Sequence, residues 1–351
     1  MECEARARAA AVGARIGDAL AMPAHWYYDT RDLAATFGRV DFYLPPPALH
    51  PGSILWRSSY GPREPEYDIL GDQRRFWGQR GVHYHQNLRA GENTLNLKLM
   101  NLALSLVETS GDYDRDEYIR HYQDFMLRPA DHRDTYVEEC HRGFFENLKR
   151  GVPAARAAVK EKHIGGMVAV IPLYALLRAH GRSHEAASTA VRDHVSVTHA
   201  GRQVATAVDT LTRLAGEILD RRAAETDADE TDADEHVLYS VLTDHLERQD
   251  LDFLRGPIAR LAAMEEPMRV IGPRYSPACY LDDAMPATFY LALRYSEQPT
   301  DALIENTMAG GDNCHRGAVL GALFGLAGGI NGFPDRWVSG LSDQSGRRDS
   351  R

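Results

Sequence analysis

The residues best equipped for chemistry lie together in AGGDNCHRGAVLGALFGLAGG, positions 309–329. Gly310 and Gly311 permit a tight turn, and Asp312 stands where a helix N-cap belongs. Asn313, Cys314, His315 and Arg316 follow directly, so a carboxylate, a thiol, an imidazole and a guanidinium share one short stretch. Such a set can move protons or hold a metal ion. Gly317, Gly321, Gly325 and Gly329 then recur every four residues. Each interior helical glycine costs about 1 kcal/mol relative to alanine, and the natural compensation is a second backbone packed against the bare face. Helix packing accounts for the glycines but leaves the polar cluster unexplained.

Other segments offer weaker signals. His83-Tyr84-His85 has metal-pair spacing, although in a loop such histidines are more often hydrogen-bonded to their surroundings. His25-Trp26-Tyr27-Tyr28-Asp29 reads either as an aromatic cluster beneath a long loop or as a shelf for adenine or another flat group. Asp282 and Asp283 precede an apolar stretch and are expected to serve a helix N-terminus. Thr198-His199 reads first as a capping turn.

The elements that must position these groups are helical. Val12, Ile16 and Leu20 recur every four residues beside Gly13 and Gly17, predicting a helix from about 5 to 20 that ends before Pro23. TLNLKLMNLALSLVE (94–108) fits both periods, but its Leu, Met, Ala and Lys content favours a buried helix. Further helices are predicted over 113–125, 137–149, 154–162, 166–179, 183–194, 201–223 and 285–295. Residues 40–91 are rich in Pro, Gly and aromatics without helical periodicity. The density of Trp56, Tyr60, Tyr67, Phe76, Trp77 and Tyr84 predicts an ordered functional loop. ETDADETDADE (225–235) reads as a solvated acidic loop, and 342–351 as a disordered tail. A single all-α domain over 1–341 is the expected architecture; no βαβ alternation is present.

Composition sets the outer limits. The chain has 351 residues, 44% apolar and 26% charged, which suffices for a sizeable core. A net charge of −10 without a dense basic block argues against nucleic-acid binding. No apolar run is long enough to span a membrane, and the charged N-terminus does not read as a secretory signal, so a cytoplasmic location is expected. Cys3, Cys140, Cys279 and Cys314 show no CxxC spacing, against a disulfide framework or zinc knuckle. Oligomeric state is not legible.

Five segments, in order, resemble the ADP-ribosylglycohydrolase superfamily. Gly13-Ala14-Arg15-Ile16-Gly17-Asp18-Ala19-Leu20-Ala21-Met22-Pro23 is similar to GAxxGDALGxP, and Gly91-Glu92-Asn93-Thr94 stands where the family has TDDT opening a helix. Gly165 to Leu173 echoes GNGxxMRxxPL, SVTHAGRQVATA echoes SxxTHxxxxAxxA, and 309–329 resembles GGDTDTxGAIxGALxGA. MPAHWYYD, HPGSIL and HYHQNLRAGENT bring the chain nearest the branch of lens J-crystallins and selenoprotein J. The resemblance implies an all-helical bundle, with the TDD and DxDT residues around a pair of Mg²⁺ ions that act on an ADP-ribose-type glycosidic bond. Carried over residue by residue, it names Glu92 and Asp312 as catalytic carboxylates and Glu92, Asn93, Asp312, Cys314 and His315 as metal ligands. It places Asp18, His25, Trp26, Gly310, Gly311 and Arg316 around a small-molecule or ADP-ribosylated substrate. Two carboxylates balance two Mg²⁺ ions poorly, so magnesium is expected to be at most partly retained. The alternatives are a zinc or iron site using the softer Cys314 and His315, a redox role for Cys314 at a helix N-terminus, and a crystallin-like scaffold without catalysis.

Overall fold

A computed structural model describes residues 2–226 and 236–342. The doubled TDAD segment from 227 and the tail beyond Ser342 lie outside the described residues. The regular structure among the described residues is helical, apart from a two-residue parallel pairing of Val159–Lys160 with His199–Ala200.

Two helices organise the molecule. The N-terminal helix runs Glu2–Ala21 and the glycine helix runs Asn313–Gly328; they form the most extensive helix pair of the fold. Gly13 faces Gly321, Gly17 faces Gly317, and Ala9 faces Gly325, an antiparallel register. A Cβ added at Gly321 would lie 2.0 Å from the Gly13 carbonyl oxygen, and one at Gly17 would lie 2.0 Å from that of Gly317. No side chain fits in that space, so the glycine spacing is a packing requirement. The backbone contact it allows offsets the helix-propensity cost.

Around this pair lie the helices Val170–Ala179, Arg202–Thr226, Leu281–Arg294 and Pro299–Met308, sharing one main apolar core. Leu95–Ser110 is the buried helix its composition predicts, ending at Gly111 in the left-handed region. A second core lies between that helix, Arg115–Met126 and Glu139–Lys149, filled by Tyr122, Phe144 and Phe145.

One predicted helix is not there. Residues 154–162 form a single 3-10 turn, Ala154–Arg156, and then the short strand. Val159 N donates to Thr198 O at 3.2 Å and Asn147 Nδ2 to Ala157 O at 2.9 Å. These tertiary partners override the local helix propensity. His199 correspondingly lies in the paired strand rather than in a capping turn. Asp282 and Asp283 do fall in the first turn of Leu281–Arg294.

The 40–91 loop is packed rather than loose. Trp26, Leu55, Val82 and Tyr84 form a buried cluster with Phe76, Trp77 and Tyr136 against it.

Candidate active site

The turn before the glycine helix is stitched to the segment after the N-terminal helix. Gly310 and Gly311 have φ of +67° and +64°, and a Cβ on Gly311 would lie 2.0 Å from Pro277 O. Gly311 N donates to Tyr27 O at 2.7 Å, and Trp26 N donates to Gly311 O at 2.8 Å. Both glycines therefore serve this backbone crossing, leaving them no free edge for a substrate. Trp26 pays for the crossing with a φ of 59°, a left-handed conformation that a bulky residue rarely holds. Its ring stacks on His25 at 3.8 Å between centroids and meets Tyr84 and Tyr136 edge-on. The aromatic-cluster reading of this segment holds, and Trp26 is too buried to be an open shelf.

Asp312 occupies the N-cap position, but its side chain makes no capping bond. It turns inward, where Oδ1 lies 3.0 Å from His25 Nε2 and 2.8 Å from His315 Nδ1. The His315 contact is not aligned as a hydrogen bond, and Asp312 Oδ2 is buried with no partner. Behind His25 the chain of contacts continues. His25 Nδ1 lies 2.7 Å from His85 Nε2, and His85 Nδ1 lies 2.6 Å from Asp134 Oδ1. Asp134 Oδ2 accepts from Leu95 N at 2.9 Å. His83 and His50 brace the same segment through Pro23 O and His25 O.

Beyond His315 stands Glu138, whose Oε1 lies 3.9 Å from His315 Nδ1. Its Oε2 accepts from Asn96 Nδ2 at 2.6 Å, while Asn96 Oδ1 meets His141 Nε2 at 3.0 Å and His141 reaches Tyr122. His25, Trp26, Asp134, Tyr136, Glu138 and His315 are among the residues lining a cavity of ≈ 10 Å³, about the room one water needs.

Burial and charge set the protonation states. Burial pushes the His25 imidazole down to about 3 despite Asp312 beside it, so it is neutral. Burial acts the same way on His315, but the carboxylates of Asp312 and Glu138 outweigh it and raise that imidazole to about 10. Asp312 is held well below the usual carboxylate range: burial opposes this, and the charge of His315 with the hydrogen bond from His25 prevails. One carboxylate thus sits between a neutral and a cationic ring.

The other expected half of the site is arranged differently. Glu92 accepts from Lys98 Nζ at 2.7 Å, from Arg89 N at 3.0 Å and from Arg133. No hydrogen bond or ion pair among the described residues links Glu92 to Asp312. Lys98 and Arg133 take both oxygens of Glu92. Asn93 Nδ2 donates to Asp18 Oδ2 and to Arg15 O, each at 2.8 Å. Asp18 is fully buried and also receives Thr94 N and Thr94 Oγ1 at 2.9 and 2.7 Å. These bonds tie the two motifs together. Burial raises the Asp18 pKa against those hydrogen bonds.

Cys314 and Arg316 also lie off the cavity. The Cys314 thiol packs with Ala21, Met22 and Leu88, and burial, with the nearby Asp18 and Asp312 charges, pushes its pKa well up. The activated thiol expected at this helix N-terminus is therefore not formed; desolvation outweighs the dipole. Arg316 is fully buried, donating to Asn306 Oδ1 at 2.7 Å and to Gly310 O at 2.9 Å, which braces the turn from inside.

The donor set does not fit paired magnesium, which demands several hard oxygens. Glu92 is neutralised, Asn93 is engaged by Asp18, and Gly91 offers no side chain. Imidazoles instead surround Asp312. Its ring neighbours give a compact group, His25, Asp312 and His315, whose ligand atoms all lie within 4.8 Å of one another. His25, His85 and Cys314 form a second such group.

Asp134, Glu138, Asn96 and His141 escaped the sequence reading. They come from DHRDTYVEECH and the buried helix, where no motif marks them. The one available clue was His85, the second member of the His-x-His pair.

Residues 1–350 match the ADP-ribosylglycohydrolase family. A solved structure described as an ADP-ribosylglycohydrolase-related protein complex superposes with a TM-score of 0.55 at 19% identity, covering 98% of this chain and 94% of the other. No curated protein matches. No helix among the described residues is long and apolar enough to cross a membrane. With its glycine-paired terminal helices and a family match spanning almost every residue, the chain belongs to the ADP-ribosylglycohydrolase family.

Proposed function

We propose that the chain hydrolyses an ADP-ribose-type glycosidic bond with a histidine–carboxylate centre in place of paired magnesium. The observation that carries this reading is Glu138, a carboxylate on the cavity wall with one oxygen fixed by Asn96 and the other facing His315. A carboxylate held in this way can take a proton from a water in the cavity as that water attacks the anomeric carbon. The bond to the leaving group breaks, and Glu138 can return the proton to the departing atom. Asp312 and Glu138 supply the negative charge that an oxocarbenium-like transition state needs. Tyr28 supports a flat substrate group near the centre: it is half-exposed, and its pKa is raised by burial and then by the charges of Asp312 and Cys279. The substrate is a small molecule or an ADP-ribosylated protein.

The test is release of ADP-ribose from O- and N-linked conjugates. Glu138→Gln is expected to lower turnover about 10²- to 10⁴-fold with an unchanged far-UV circular dichroism spectrum. A wild-type chain inert towards both linkages sinks the proposal. That outcome favours a second reading, a scaffold retained without turnover. The cavity of ≈ 10 Å³ supports it, because it has no room for ADP-ribose.

A further inference from the structure

We infer that His25 Nε2, His315 Nδ1 and Asp312 Oδ1 together hold one divalent transition-metal ion, Zn²⁺ or Fe²⁺. Two imidazoles and one carboxylate suit these metals. The ligand set differs from the motif positions, since Glu92, Asn93 and Cys314 take no part in it.

Geometry is the first argument. Asp312 Oδ1 lies 3.0 Å from His25 Nε2 and 2.8 Å from His315 Nδ1. Ligand atoms about 2.1 Å from a tetrahedral zinc are roughly 3.4 Å apart, so a small expansion about Asp312 Oδ1 separates the observed cluster from a coordinated one. The 2.8 Å contact to His315 lacks hydrogen-bond alignment, and His315 Nδ1 and Asp312 Oδ2 are both buried without a hydrogen-bond partner. A buried imidazole nitrogen and carboxylate that converge without bonding one another, beside a second imidazole, are what a shared ion requires.

The surroundings complete the case. A ligating histidine usually gives its second nitrogen to a carboxylate, directly or through a relay, which fixes the ring; here His85 and Asp134 do this for His25. The cavity on the Glu138 side has room for one water on an open coordination position.

Elemental analysis of the full chain, purified without added metal, is expected to find about one Zn or Fe per chain, which also decides between the two. After chelation, Co²⁺ titration should give visible ligand-field bands that saturate at one equivalent. His25→Ala and His315→Ala should weaken Co²⁺ binding more than about 100-fold, and Asp134→Asn about 10- to 100-fold. Cys314→Ser and Glu92→Gln should leave the bands unchanged. The inference is overturned if the wild-type chain contains no stoichiometric metal and develops no Co²⁺ bands, the result expected if a proton fills the gap instead. Loss of the bands in Cys314→Ser overturns it as well, by moving the site to the His25, His85 and Cys314 group. The wild-type result decides even if a variant fails to fold. Metal binding without turnover would defeat only the hydrolase proposal, and turnover without metal only this one.

Discussion

The turn at Gly91–Thr94 and the turn at Gly310–His315 occupy equivalent places in the family pattern, yet they have diverged in opposite directions. The first keeps a carboxylate, Glu92, and spends it on Lys98, Arg133 and Arg89 N. The second keeps Asp312 and leaves one of its oxygens unpartnered among histidines. Retention of an acidic residue is therefore a poor guide to retained chemistry. The partners that surround it decide, and a carboxylate already matched by two cations has little left for a metal or a water.

The sharpest way to break this contrast is to neutralise each acid in turn. Asp312→Asn should cut turnover about 10²- to 10⁴-fold, whereas Glu92→Gln should change it less than about threefold, within the scatter of a second-order contact. Equal losses would mean that the two turns still act as one site. Stability provides the next comparison. Lys98→Met leaves Glu92 with one cation fewer in a mostly buried position, and urea unfolding should show a loss of about 3 kcal/mol. A change below about 0.5 kcal/mol would show that the ion pair is no more than a surface one. Gly321→Ala, in the helix pair that carries the second turn, should cost about 1–3 kcal/mol through forced separation of the backbones, read from the same curves.

The smallest expected effect concerns acid. His194 is buried, and burial alone lowers its pKa to about 4, against an unfolded value near 6.5. Between those values the unfolded chain binds a proton that the folded chain refuses. Stability should therefore rise as pH increases from about 4 to 6.5 and level off above. His194→Gln should flatten the slope by up to about 1.4 kcal/mol per pH unit. An unchanged slope would place the acid sensitivity in the other buried histidines, such as His132 and His141.

Much of the fold was legible because its rules are local. The glycine spacing at 13, 17, 317, 321 and 325 announced a bare helix face, and the composition of 94–108 announced a buried helix. Asp312 and His315 were readable together from one short stretch, and His25 only as part of an aromatic segment. What could not be read depends on distant partners. Lys98 and Arg133 reach Glu92 from six and 41 positions away, and nothing in either segment advertises the pairing. Asp134 and Glu138 enter the cavity from a stretch without periodicity or motif. The strand at Val159–Lys160 exists only because Thr198 and His199 lie beside it.

The antiparallel register of the two glycine-lined helices has a consequence for how the protein is made. Gly17 and Gly317 are neighbours in space but lie at opposite ends of synthesis, and a contact of such separation is slow to form. During translation the N-terminal helix must wait, its groove uncovered, until the glycine helix about 300 residues later has left the ribosome. A nascent chain therefore holds His25 and Asp18 without Asp312 or His315, and the centre comes into being as a late event of folding.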